Sequence, residues 1–187
     1  RMPELYLIPA AQTRDKSALG EGDLTRVCDE LRSDFDWVLI DSPAGIEDGF
    51  RNALAPADKV VIVTNPEVSA VRDADRIIGL VEAEEKGPAM LILNRVRADM
   101  VRRGDMLDTD DVLDILAVTL LGIIPEDEAV LVSTNRGTPV ALNGKSNVGQ
   151  AYRDVAVRLQ GEDVPFPEPD DGWGLFSRLV QFVGRGG

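Results

Sequence analysis

The sequence contains no histidine and a single cysteine. Without histidine, imidazole acid–base catalysis and the usual zinc ligand sets are excluded. One thiol, Cys28, cannot close an internal disulfide, and its helically spaced neighbours Leu24, Val27 and Leu31 make it a small core residue. Aromatic residues are 5% of the chain. No uninterrupted apolar run reaches the roughly 18 residues that a bilayer span requires. Basic residues are also scarce, 20 against 33 acidic ones, and the net charge of -13 opposes nucleic-acid binding through phosphates over most of the surface. The chain reads as cytosolic, with no nucleic-acid partner, and an anionic partner must be met by a local basic patch.

What is present suffices for a domain with a sizeable core, 187 residues of which 44% are apolar. The chain runs almost at once into an apolar strand pattern at 5–8 (LYLI), so abruptly that a further N-terminal portion is expected before it. Strand-length apolar runs recur at 37–40, 60–63, 90–93 and 120–124. Helical patterns lie at 21–32, 68–85, 108–116 and 147–159. Continuous apolar strands alternating with helices predict a doubly wound α/β fold around a mainly parallel sheet. Residues 161–172 (GEDVPFPEPDDG), with three prolines and five acids, predict an extended linker, so the domain is expected to occupy 1–160.

Ligands of such sheets sit beyond the carboxyl ends of the strands. At one of these ends Asp41 follows Trp37, Val38, Leu39 and Ile40, and Ser42, Pro43, Ala44 and Gly45 come next. In P-loop nucleotidases an aspartate so placed helps to hold magnesium, directly or through water, and a following glycine brings a backbone N–H near the terminal phosphate. An ordinary turn has the same residue types.

Longer strings go further: DSPAGIE at 41–47, TNPEVS at 64–69, VRDADR at 71–76, RGDML at 103–107, GIIPED at 122–127 and PAAQTRDK at 9–16. Together, and in this order, they resemble the MinD family, the septum-site-determining ATPases with a deviant Walker loop. The resemblance implies a fold of P-loop type, binding of ATP with Mg2+, ATP-dependent homodimerisation, and reversible attachment to the inner face of the cell membrane. It also implies a MinC-like division inhibitor and a MinE-like topological regulator as partners. On the matching positions it makes Asp41 the catalytic acid near magnesium and Ser42 to Gly45 the phosphate-sensing switch. Asn94 and Arg95 would contact adenine, and Pro125, Glu126 and Asp127 would close the base pocket. Arg72, Asp73 and Asp75 fall where the family binds partners, although a solvated charged helix face would look the same.

The glycine-rich loop of that family, with its paired lysines, is not in these residues and would precede them. Gly144, Lys145 and Ser146 do not replace it, because Pro139 stands where the loop needs a glycine and lacks the N–H of a phosphate cradle. The 187 residues by themselves are therefore expected not to hydrolyse ATP.

The last stretch, 173–187, is amphipathic. At about 100° per residue, Trp173, Leu175, Phe176, Leu179, Val180, Phe182 and Val183 fall on one half of a helix. Arg178 and Arg185 fall on the other, and the stretch has no acid. This is the composition of a helix lying in an anionic headgroup plane. Docking on its own domain is the competing reading, and a catalytically inactive membrane adaptor or a flagellar or plasmid positioning ATPase are the competing functions.

Overall fold

The computed structural model describes residues 5–9, 22–43, 45 and 48–166, which fall into two compact units divided after Ala57. The expected membrane-facing residues from Trp173 to Val183, together with Ala44, lie outside the described residues.

In the first unit, helix α1 (Asp23–Leu31) packs against helix α2 (Asp48–Leu54). Cys28, Phe50, Ala53 and Leu54 are buried, as expected for the cysteine. The Arg32 guanidinium donates to the Pro56 carbonyl at 3.3 Å. Residues 5–8 and 37–40 correct the sequence reading, since neither is hydrogen-bonded into a sheet. Apart from half-buried Ile40 their side chains are open, Leu7 being 86% and Leu39 80% exposed. An extended segment becomes a strand only where a neighbouring strand pairs with it in a ladder, and neither segment is in such a ladder among the described residues. Tyr6 and Phe35 meet edge to face with centroids 5.3 Å apart.

The second unit carries the sheet. Strands β1 (Val61–Thr64), β2 (Met90–Val96) and β3 (Thr119–Pro125) are parallel in the order β1-β2-β3. Helix α3 (Val68–Ala83) follows β1, α4 (Ala98–Arg103) and α5 (Thr109–Leu116) follow β2, and α6 (Glu128–Asn135) follows β3. A 3₁₀ turn (Val140–Leu142) then leads into α7 (Asn147–Leu159). Helices α2, α4 and α6 were not anticipated.

The residues explain these elements. Val71, Ala74, Ile78 and Val81 recur at helical spacing and form the buried stripe of α3, which packs on β1 and α5. Helix α5 starts in a reciprocal capping box, the Asp111 N–H donating to Asp108 Oδ1 at 2.7 Å and the Asp108 N–H to Asp111 Oδ2 at 3.3 Å. Along β2, Leu91 and Leu93 are fully buried on one face. On the other, Ile92 packs into a cluster with Ile124, Val140, Val148 and Val155, which seats α7 on β3. A Cβ at Gly122 would collide with the Val155 side chain, so glycine there lets α7 approach the strand closely. With both faces covered along much of β2 and β3, these strands read as continuous apolar runs rather than alternating ones, whereas Val63 on β1 is exposed.

Candidate functional site

The carboxyl ends of β2 and β3 carry the expected base-binding residues. The strands pair Leu93 with Ile123 and then Val96 with Pro125, so Asn94 and Arg95 together stand opposite the single residue Ile124. This is a β-bulge, and Arg95 completes it with a left-handed backbone at φ 56°. The sequence reading ended this strand at residue 93; the strand instead runs through the bulge to Val96. Asn94 is half-buried, whereas Arg95 is exposed.

From β3 the chain turns at Pro125, and the Glu126 N–H donates back to the Val96 carbonyl at 3.0 Å. Arg95 Nε and Nη2 donate to the two Glu126 carboxylate oxygens at 2.7 and 3.2 Å. The Arg95 hydrogen bond holds the Glu126 carboxyl below its ordinary pKa against the opposing effect of burial, with further help from the charges of Arg95 and Arg97. Asp127 has a separate task as N-cap of α6, its Oδ1 accepting from the Ala129 N–H at 2.7 Å. The structure therefore brings Asn94, Arg95, Pro125, Glu126 and Asp127 to one sheet edge.

An open cleft of about 700 Å³ adjoins this edge. Pro66 and Glu67 line it from the end of β1, Arg95 and Glu126 from the bulge, and Met100 and Met106 from the segment after β2. Met106 reaches back so that its sulfur accepts from the Arg97 N–H at 3.4 Å. The string RGDML predicted no pocket because its wall forms only when α4 ends at Gly104, whose left-handed φ of 75° turns the chain back.

In the first unit, Asp41, Ser42 and Pro43 are exposed and follow a segment that forms no strand among the described residues. Gly45 has φ 101°, a turn that favours glycine. Pro43 lies so close to Gly49 in α2 that a Cβ there would meet its Cγ at 2.9 Å, so the Asp41 turn folds onto the start of α2. An aspartate is a hard oxygen donor suited to magnesium, and an ion that keeps several waters and takes phosphate oxygens needs only one or two protein carboxylates. The chemistry of Asp41 fits that requirement. An asparagine amide at position 94, with both donor and acceptor, suits the edge of a purine.

Arg72, Asp73 and Asp75 are all exposed on α3, outside its buried stripe. Asp73 lies 3.7 Å from Arg76 Nη1, an i,i+3 surface pair. Lys145 is exposed in a loop, and the Ser146 hydroxyl accepts from the Gly149 N–H at 3.1 Å as the N-cap of α7. That Gly-Lys-Ser run is a helix start preceded by a 3₁₀ turn rather than by a strand.

Residues 6–157 match the family model of the cellulose biosynthesis protein BcsQ. The chain is 50% identical over 167 residues to the septum site-determining protein MinD of Synechocystis, covering 89% of this chain and 63% of that protein. It is 44% identical over 182 residues to that of Bacillus subtilis, covering 96% of this chain and 68% of that protein. The chain belongs to the MinD family.

Solved structures agree. The MinC:MinD cell division protein complex of Aquifex aeolicus matches with a TM-score of 0.77 and 45% identity, over 80% of this chain and 62% of that one. The septum site-determining protein MinD of Pyrococcus horikoshii, complexed with Mg-ADP, matches with a TM-score of 0.65 and 29% identity, over 75% and 56%. The fold is thus the α/β fold of P-loop type found in the MinD family. The chain spans 63% of the Synechocystis relative's length.

Proposed function

We propose that this chain is the greater part of a MinD-type ATPase that selects the division site, binding Mg-ATP, dimerising with it, and carrying a MinC-like inhibitor to the membrane. The observation that carries the reading is the bulge at Asn94 and Arg95 facing Pro125 to Asp127, a shaped edge at the carboxyl ends of two adjacent strands of a MinD-family sheet. Asn94 would pair with the adenine edge, with Pro125 to Asp127 beside it. Asp41 would help to hold magnesium, Ser42 to Gly45 would respond to the terminal phosphate, and the phosphate cradle would come from residues outside these 187. The Mg-ADP and MinC complexes of relatives support nucleotide and inhibitor as ligands. Arg72, Asp73 and Asp75, all exposed on α3, would meet the inhibitor or its MinE-like antagonist.

The basic amphipathic stretch 173–187 would attach the protein to anionic lipid. Burying its large apolar side chains in part contributes roughly 1 to 2 kcal/mol each, against an ordering cost of about 1 kcal/mol per residue. One tail binds marginally, whereas two on a dimer bind by effective concentration, so nucleotide controls residence.

The test is equilibrium binding of a fluorescent ATP analogue to the whole protein with magnesium. Asn94→Ala is expected to weaken binding about tenfold, the worth of a lost hydrogen-bonding group at a buried base edge. Asp41→Ala is expected to remove magnesium-dependent turnover. Unchanged affinity in Asn94→Ala would place the base elsewhere.

A further inference from the structure

Arg158, in the last turn of α7, is half-buried, and its guanidinium is committed to main-chain carbonyls and a ring. Nη1 donates to the Leu121 carbonyl at 3.2 Å, Nε to the Val164 carbonyl at 2.8 Å, and Nη2 to the Pro165 carbonyl at 3.0 Å. The guanidinium carbon sits 4.0 Å from the centroid of the Phe166 ring. Leu121 is itself special: β2 and β3 pair Leu91 with Leu120 and then Ile92 with Gly122, so Leu121 is an extra residue without a register partner on β2. The fork therefore joins the bulged residue of β3 to the chain that follows α7. Asp154 and Asp163 support the charge against the burial that lowers its pKa.

The place of this contact in the fold is defined. The start of α7 packs near the end of β3, through Val148 and Ile124, and its later residues reach the beginning of β3, through Val155 at Gly122 and Arg158 at Leu121. The clasp thus lies at the amino-terminal end of the sheet, away from the carboxyl ends that carry Asn94 and Pro125.

We propose that Arg158 is a positioning residue that straps residues 162–166 to the amino-terminal end of the sheet and so fixes where the chain leaves the domain. The strap also shortens the tether to the amphipathic stretch. Between Gln160 and Trp173 there are 13 residue steps, and between Phe166 and Trp173 there are 7. At about 3.4 Å per residue the reach falls from about 44 Å to about 24 Å. Because effective concentration falls as about the -3/2 power of tether length, the strap raises that of a second tail about 2.5-fold. This last consequence rests on the membrane reading above; the strap itself does not.

The experiment is digestion of the folded full chain with a protease that cuts on the amino side of aspartate. The bond before Asp171 serves as the internal reference and the bond before Asp163 as the probe. Wild-type protein is expected to be cut before Asp171 and to resist cutting before Asp163. Arg158→Ala, Arg158→Lys, which keeps the charge and loses the fork, and Phe166→Ala should each speed cleavage before Asp163 by about tenfold or more, since proteolysis follows the population of the opened segment. Circular dichroism checks that α7 persists. If Arg158→Ala fails to fold, Phe166→Ala, which alters only the strapped segment, decides. Equal cleavage at both bonds in wild type, or unchanged cleavage in Arg158→Lys and Phe166→Ala, overturns the strap whatever the tail does. A protected strap in a protein that ignores vesicles would overturn the membrane reading alone.

Discussion

Arg95 combines a left-handed backbone, which residues with a Cβ adopt reluctantly, with a two-pronged grip on Glu126. The grip lowers the Glu126 pKa from its ordinary 4.5, so the interaction is complete at neutral pH and is lost as pH falls through the depressed folded-state value. Carbon-13 NMR of the Glu126 carboxyl is expected to give a midpoint below 4.5 in the wild type, returning toward 4.5 in Arg95→Ala. Equal midpoints in the two proteins would mean that the fork does not persist in solution. Asn94, Arg95 and the Pro-Glu-Asp run were legible in the sequence as motif positions. The bulge was not, because it is an offset between the registers of two strands, and neither strand's residues carry it alone. The Arg95–Glu126 pair, 31 positions apart, follows from the bulge and was hidden with it.

At the scale of elements, apolar runs with buried partners became strands: β1, β2 and β3 lie where the runs at 60–63, 90–93 and 120–124 placed them, within a residue or a few. The runs at 5–8 and 37–40 have equally strand-like residues and form no ladder among the described residues, since pairing depends on a neighbour as well as on composition. Helices α3, α5 and α7 showed helical stripes. Helix α6 did not, because its apolar Leu131 and Val132 are exposed rather than gathered on a buried side, and only the Asp127 cap marks its start. Two substitutions test the packing. Gly122→Ala forces α7 off β3 and is expected to cost about 1 to 3 kcal/mol, the usual penalty of overpacking, in urea unfolding. Asp108→Ala opens the α5 capping box and is expected to cost about 0.5 to 2 kcal/mol by the same measurement, with little change in slope. An unchanged midpoint for Gly122→Ala would show that Val155 moves aside freely.

For the whole molecule, charge and hydropathy are divided along the sequence. The net charge of -13 belongs to a chain whose last 15 residues, from Trp173, hold two arginines and no acid. Among the described residues no helix is long and apolar enough to cross a membrane. The proposed function would attach the protein by this surface-lying stretch, strengthened by dimerisation. Phe176→Glu places a charge in the middle of the apolar sector and should abolish attachment while leaving the domain's melting unchanged. Removing the charge of Arg178 should weaken binding chiefly to anionic vesicles, by an amount that raised salt reproduces, since about 1 kcal/mol per basic residue is available near such a surface.

The most direct measurement is sedimentation of the whole protein with anionic vesicles in Mg-ATP and in Mg-ADP. A nucleotide-switched membrane ATPase predicts strong sedimentation in Mg-ATP, little in Mg-ADP, and none in either for Phe176→Glu. Equal sedimentation in the two nucleotides, or a Phe176→Glu protein that sediments like the wild type, would contradict it.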